Sequence, residues 1–282
     1  MNKLLRKIRR AITRDEPGYY DMYLNPGEQF FARLYLHHIR KVLAAHPEPF
    51  GKLRTGFVEV EWPRSLKLLD AGCQAGRLAV PLALEGHRVV GVDTTLVGLR
   101  RCRRHAAEAG VKKCLTPFPA PLELIRANLT RWLPAAEADS FDVVLCAEVL
   151  YLRENWRELL RGLIRLLRPG GLGFISHRPT DYYLAEAHQH QDQEAVRTLL
   201  SGAGEGKVIG SYYNWQNRED LRRIYEESGM EVLRIIPIGR LSQKVNPEKI
   251  TEEQRNLLFQ EEISLPDDGE GGRYLLVCGK KR

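Results

Sequence analysis

From residue 66 onward the chain alternates short continuous apolar runs with longer stretches in which apolar residues recur every three or four positions. The runs are 66–71, 88–92, 122–127, 141–146, 172–176, 231–238 and 274–278, and the helical stretches between them are 77–85, 95–109, 153–167 and 217–228. Runs such as Val89-Val90-Gly91-Val92 and Val143-Val144-Leu145 are apolar at successive positions, as in strands covered on both faces. The alternation predicts an α/β fold built on a mostly parallel sheet with helices on either side. Arg168-Pro169-Gly170-Gly171 is expected to stop the third helix and turn the chain into a strand. An insertion joins the last two runs, so the final strand is expected to reverse direction.

The first 60 residues follow another pattern. Leu4, Leu5, Ile8 and Ile12 make one apolar stripe over 1–14, with cations elsewhere, so this segment predicts a basic amphipathic helix ended by Asp15-Glu16-Pro17-Gly18. A second helix is expected after Asn25-Pro26-Gly27, running through Phe30, Phe31, Leu34, Tyr35 and Ile39 to about Ala45. The chain therefore divides into an N-terminal helical cap, 1–60, and a core, 61–282. Insertions at 178–216 and 241–271 interrupt the core. The first is rich in Tyr and His; the second reads as a helix over 247–262 and then a loop. Such long interruptions of a compact α/β unit are usually lids or disordered.

Charge adds less than it first suggests. The chain has 282 residues, with 43 Lys and Arg against 36 Asp and Glu, a formal charge of +7. The excess sits in two clusters. One is Lys3, Arg6, Lys7, Arg9, Arg10 and Arg14; the other is Arg100, Arg101, Arg103, Arg104, Lys112 and Lys113, opposed by Glu108 alone. Each is read as a solvated helix face, with an RNA partner as the alternative and, for 1–14, peripheral contact with an anionic membrane. No stretch approaches the roughly 18 apolar residues of a membrane span. The basic N-terminus leads into no apolar run, so no signal peptide is expected. The five cysteines (73, 102, 114, 146 and 278) form no CxxC pair, which predicts a reducing, cytoplasmic setting and no metal site.

The densest chemical signal is LLDAGCQAGRLAVPLALEGHRVVGVD, residues 68–93. A strand ends at Asp70, Gly72 and Gly76 allow a tight turn, and a helix is expected from about Arg77. A second strand then ends at Asp93, whose carboxylate can accept from both hydroxyls of a ribose. Nicotinamide and flavin enzymes use related geometry. Their phosphate loops, however, carry G-x-G-x-x-G at a helix N-terminus. Here the spacing is D-x-G-x-x-x-G, with an acid where a phosphate would be repelled and an amino group would be welcome. The ligand this suits has a nucleoside at one end and an amino acid at the other.

On these residues, together with ELIRANLTRWLP, SFDVVLCAEVLYL and LIRLLRPGGLGFI, the sequence resembles the class I S-adenosylmethionine (SAM)-dependent methyltransferases. The resemblance covers 66–177 closely, and 217–240 and 272–280 loosely. It implies a Rossmann-like, doubly wound seven-stranded sheet of order 3-2-1-4-5-7-6 with the last strand antiparallel. It also implies SAM as cofactor. By motif, Asp70, Gly72, Cys73, Gln74 and Gly76 would surround the methionine end, and Asp93 and Thr94 the ribose. Asn128 and the Leu129 amide would hold the adenine edge, with Cys146 and Ala147 beside the sulfonium. Gln74 replaces the family's middle glycine and Asn128 its common Asp. The thiols of Cys73 and Cys146 are expected to pack rather than react.

Glu148 and His177 follow the C-terminal ends of strands, where ligands gather in open α/β sheets, and are the candidate catalytic bases. Tyr19, Tyr20, Tyr23, Tyr151, Arg178 and Tyr212 are the candidate substrate residues; an aromatic cap segment would suit a sulfonium. Motifs of other branches are missing: (N/D)PP(Y/F) after the fourth strand, a Pro-Cys nucleophile, a double-glutamate loop and the acidic metal-binding set. What remains resembles the small-molecule group that includes quinone-biosynthesis enzymes. The expected function is methyl transfer to O, N or C of a small or medium-sized metabolite. The alternatives are an RNA methyltransferase and a SAM-binding protein that does not methylate.

Overall fold

The computed structural model describes residues 21–46, 65–111, 121–202, 204–208 and 210–282. The helix expected over 1–14, along with Tyr19 and Tyr20, lies outside these residues.

The first described helix, α1 (Pro26–Ala45), starts where Asn25 caps it: the Oδ1 accepts from the amides of Gly27 and Glu28 at 2.7 and 3.2 Å. Its inner face, Phe30, Phe31, Leu34, Tyr35 and Ile39, is buried in the main core. Then come β1 (Lys67–Ala71), α2 (Ala79–Leu84), β2 (Arg88–Asp93), α3 (Leu96–Glu108), β3 (Leu122–Arg126), α4 (Leu129–Ala135) and β4 (Phe141–Cys146). After a short 3-10 turn at Leu150–Leu152 follow α5 (Trp156–Leu166) and β5 (Leu167–His177). The remainder is α6 (Thr180–Gln189), α7 (Gln193–Leu200), β6 (Glu205–Val208), β7 (Ser211–Asn214), α8 (Arg218–Glu227), β8 (Met230–Ile238), α9 (Glu252–Ser264) and β9 (Tyr274–Lys281).

The main sheet has seven strands in the order β3-β2-β1-β4-β5-β9-β8. The strands from β3 to β5 are parallel, and β9 runs antiparallel to both β5 and β8. Setting aside the separate β6–β7 hairpin, this is the expected 3-2-1-4-5-7-6 order. One large cluster covers the face that carries α1, and a second, centred on Trp156, Leu160, Leu163 and Tyr225, covers the other.

Local departures have physical causes. The turn after β1 is longer than expected, and α2 begins at Ala79, not Arg77. The strand expected from 172 starts at Leu167, which pairs with Phe141 across a register shift, while Arg168 reaches Asp142 at 2.8 Å. The run through Pro169-Gly170-Gly171 is thus an irregular part of β5, not a turn. The 178–216 interruption is ordered secondary structure. Its helices and hairpin close their own cluster of Tyr183, Ala187, Ala195, Leu199, Val208 and Trp215. Asn214 fastens this unit to the loop after β4 through bonds to the carbonyls of Leu150 (2.9 Å) and Arg153 (3.3 Å). Within 241–271, α9 carries a capping box between Thr251 and Gln254, as the helical reading of that segment anticipates.

Candidate functional site

The sheet order reverses between β1 and β4, and a cleft opens there at the C-terminal ends of the strands, where a doubly wound sheet places its ligand. Its empty space is about 930 Å³ when the open solvent at its mouth is counted in. The β1 loop makes one wall. The amides of Gly72 and Cys73 bond to the Val92 carbonyl at 2.8 and 3.3 Å, which folds the loop over β2. Gly72 has φ +92°, and a Cβ there would come within 2.3 Å of Val149. Gly76 has φ +85°, with Cys102 Sγ 2.5 Å from where its Cβ would be. Both positions therefore exclude a side chain.

Between them, Gln74 adopts φ +43°, at a cost of about 1–2 kcal/mol for a residue with a Cβ. Asp93 helps to hold it there. One carboxylate oxygen accepts from the Gln74 amide at 3.1 Å, and the other from the amide and hydroxyl of Thr95 at 2.7 and 2.6 Å. A single acid thus ties together the two loops that frame the cleft. The Gln74 Oε1 is buried and has no hydrogen-bond partner.

The base-edge residue Asn128 caps α4, its Oδ1 accepting from the Thr130 amide at 3.0 Å. Val92, Ala127, Leu129 and Leu159 give this end of the cleft an apolar lining.

At the opposite end, Glu148 stands in a backbone conformation that favours glycine, φ +62°. It is held on three sides. Its amide donates to Ser176 Oγ at 2.7 Å, Arg77 Nη2 donates to its Oε1 at 2.6 Å, and the Tyr274 hydroxyl donates to its Oε2 at 2.6 Å. A strained residue this firmly restrained at the mouth of a cleft points to function. Arg77 also reaches Glu28 of α1 at 2.9 Å, so one guanidinium bridges two carboxylates in a nearly dry environment. Burial pushes Glu28 up to about 7, although the attraction of Arg77 opposes it.

The other predicted residues divide clearly. Gly72, Cys73, Gln74, Asp93, Thr94, Asn128, Leu129, Ala147 and Glu148 line the cleft. Asp70, Gly76 and Cys146 are not in that lining. Asp70 is buried behind the loop, where it accepts from the Ala79 amide and where burial pushes its carboxyl up to about 7. Cys146 is fully buried, which pushes its thiol well up.

His177 does not reach the cleft. It is buried, with Nε2 2.8 Å from the Tyr225 hydroxyl and its ring edge-on to Trp156, and burial pushes it down to about 3. It therefore stays neutral and packs against the opposite face of the sheet, which argues against its role as a base. Tyr23 stacks on His105 at 4.1 Å, and Tyr212 donates to Glu205 at 2.8 Å, neither in the cleft lining. Tyr151 and Arg178 are buried near Tyr274, next to Glu148 and outside the cleft lining. Sequence reasoning missed Arg77, Glu28 and Tyr274. The only signal for Arg77 was a cation directly after Gly76 in an otherwise apolar segment.

The donor set suits SAM. Asp93 can receive a diol, the apolar end and the Asn128 amide can receive a purine, and Glu148 can receive an ammonium group. Arg77 adds a cation at the amino-acid end. The fold and this loop together are similar to those of the class I SAM-dependent methyltransferases.

The comparisons agree: residues 69–175 match a family model described as a methyltransferase domain. Among curated relatives, the ubiquinone biosynthesis O-methyltransferase of Caulobacter sp. (strain K31) is 35% identical over 141 residues, 50% of each chain. That of Roseobacter denitrificans is 28% identical over 206 residues, 72% of this chain and 68% of the relative. The matches span about half the length, or less, of most of these curated relatives. In structure, the magnesium protoporphyrin IX methyltransferase of Synechocystis, solved with bound SAH (S-adenosylhomocysteine), aligns with TM-score 0.55 at 14% identity. The alignment covers 98% of this chain and 94% of that one. A SAM-dependent methyltransferase from Mesorhizobium loti aligns with TM-score 0.52 at 20% identity, covering 77% and 91%. These likenesses establish the fold. Among the described residues, no helix is long and apolar enough to cross a membrane.

Proposed function

We propose that the protein transfers a methyl group from SAM to a small or medium-sized metabolite, with oxygen favoured over nitrogen or carbon as the acceptor atom. The observation that carries this reading is the double use of Asp93, which closes the β1 loop and lines the cleft beside it. The names of the ubiquinone-biosynthesis relatives support an oxygen acceptor. When bound, SAM supplies an already activated methyl group, so the residues of this chain have mainly to orient and desolvate. Such positioning is worth about 7–11 kcal/mol in well-aligned intramolecular reactions. Gly72, Gln74 and Asp93 would hold the cofactor. Ala147 and Val149 would narrow its reactive end, and α1 and the 178–216 unit would wall the acceptor side.

Both oxygens of Glu148 already accept hydrogen bonds. We therefore assign it to holding Arg77 and Tyr274 in place, rather than to carrying a proton. The basic helix α3 turns Arg100, Arg103 and Arg104 outward while Leu99, Cys102 and Ala106 pack inside.

Calorimetry with SAM, SAH and NAD tests the cofactor, and SAH release in the presence of hydroxylated aromatic acceptors tests the transfer. We expect SAM and SAH to bind and NAD not to. Binding of NAD alone would overturn the assignment.

A further inference from the structure

A chain of hydrogen bonds leads away from the cleft. Arg77 donates to Glu148, Tyr274 donates to the other Glu148 oxygen, and Arg178 Nη2 donates to the Tyr274 hydroxyl at 2.9 Å. Arg178 Nη1 then donates to the carbonyl of Arg273 at 3.0 Å. The Arg178 guanidinium is sandwiched, 3.9 Å from the ring centroids of both Tyr182 and Tyr274. Only 7% of the residue is exposed, and its Nε–H has no acceptor. Arg273 lies over the Phe31 ring of α1 at 5.3 Å and is partly exposed.

Among the described residues, no carboxylate comes within salt-bridge distance of Arg178 or Arg273. Glu28 and Glu148 are both engaged by Arg77 instead. A buried guanidinium normally has an anionic partner, because the aromatic faces compensate only part of its lost hydration. Arg178 is such a buried cation, with an unmatched Nε–H, and the partly exposed Arg273 adds a second positive charge beside it. A guanidinium is also the donor best shaped for a carboxylate or a phosphate.

We propose that Arg178 and Arg273 form an anion-recognition site for the methyl acceptor, which is an organic compound bearing a carboxylate or a phosphate group. This rests on the methyltransferase reading for the word acceptor, and on the local geometry alone for the anion. Arg178 is the inner donor, fixed by its two tyrosines. Arg273 is the outer one, open enough to meet a ligand first.

The test is calorimetric titration of the protein, with and without saturating SAH, by benzoate, phenyl phosphate and neutral benzamide. We expect at least one of the anions to bind about 10- to 100-fold more tightly than benzamide, the range of a charge-assisted hydrogen bond. The stronger of the two identifies the group. Arg273→Met should lower that advantage without weakening benzamide, since Arg178 remains, and Arg273→Lys should keep more of it than Arg273→Met does. SAH affinity should be the same in all three proteins.

Equal binding of the anions and benzamide would overturn the proposal, as would an anion advantage that Arg273→Met leaves undiminished. Failure of SAH to bind would refute the cofactor assignment instead, and the titrations without SAH would still decide the anion question.

Discussion

Removing the Arg77 guanidinium while keeping the bulk of its side chain, as in Arg77→Met, should expose how the cleft is held together. Arg77 is only 8% exposed and spans Glu28 at 2.9 Å and Glu148 at 2.6 Å. Breaking a buried pair by deleting one partner costs about 3–5 kcal/mol, because the remaining charge is left uncompensated. Here two carboxylates would be left, and Glu148 would raise the proton affinity of Glu28 without the opposing attraction of Arg77. Glu28 is already pushed up to about 7 with Arg77 present, mainly by burial. A carboxyl raised in the folded state stabilises fully below its unfolded value and loses that contribution as pH rises towards the folded one. Without the cation, the folded variant should retain one proton more than the wild type near neutrality.

The loss should therefore be largest at pH 8, about 3–5 kcal/mol. It should be about 2 kcal/mol smaller at pH 5.5, since each pH unit of differential protonation contributes about 1.4 kcal/mol. Urea denaturation at the two pH values measures this directly. The melting temperature at pH 8 should fall by about 6–20 °C, at roughly 2–4 °C per kcal/mol. Adding Glu28→Gln should recover part of the loss at pH 8. A cost below about 1 kcal/mol, or one equal at both pH values, would refute the claim that the triad holds α1 to the cleft.

Other outcomes follow from the same geometry. Asp93→Ala removes the acceptor for Gln74 and Thr95 together, so SAM affinity by calorimetry should fall at least about tenfold, one charge-assisted hydrogen bond or more; unchanged affinity would separate Asp93 from the cofactor. Asp70→Asn can still accept from the Ala79 amide but has no ionisation to resist. Its stability relative to wild type should rise between about pH 4 and 7, by at most about 1.4 kcal/mol per unit, and identical denaturation curves at pH 5 and pH 8 would contradict a carboxyl raised by burial. His177→Phe leaves the Tyr225 hydroxyl without a partner and should cost about 1–3 kcal/mol in stability. Turnover per folded molecule and the pH–rate profile should not move, and a lost limb of that profile would return His177 to the site.

Much of the sheet was legible because its signal is local. A run such as Val143-Val144-Leu145 is apolar on successive positions whatever lies elsewhere in the chain, and β4 falls at Phe141–Cys146 as the run predicts. The glycine loop was legible from its own spacing, although the neighbours that confine Gly72 and Gly76, Val149 and Cys102, lie outside the motif. The 178–216 unit was not. Its helices are stabilised by one another and by the hairpin, and Trp215 and Val208 join a core with Tyr183 that no window of sequence contains.

The contrast between Glu148 and His177 shows where position along a strand stops being informative. Both follow the same rule, that ligands collect at the C-terminal ends of parallel strands. Side chains on a strand, however, alternate between faces. Along β5, Leu172 and Phe174 belong to the core on the α1 side, and Ile175 to the one around Trp156 and Tyr225. That parity sends Ser176 towards Glu148 and His177 towards Tyr225. A shift of a single residue decides between the cleft and the back of the sheet. The partners that complete the Glu148 environment are equally non-local, with Glu28 and Arg77 separated by 49 positions, and Glu148 and Tyr274 by 126. An acid and a cation that distant carry no mark in sequence that they will meet. What can be read in advance is the strand end. Which face it presents is settled by the parity of the strand, and which arginine comes to meet it by the path of the loop after β1.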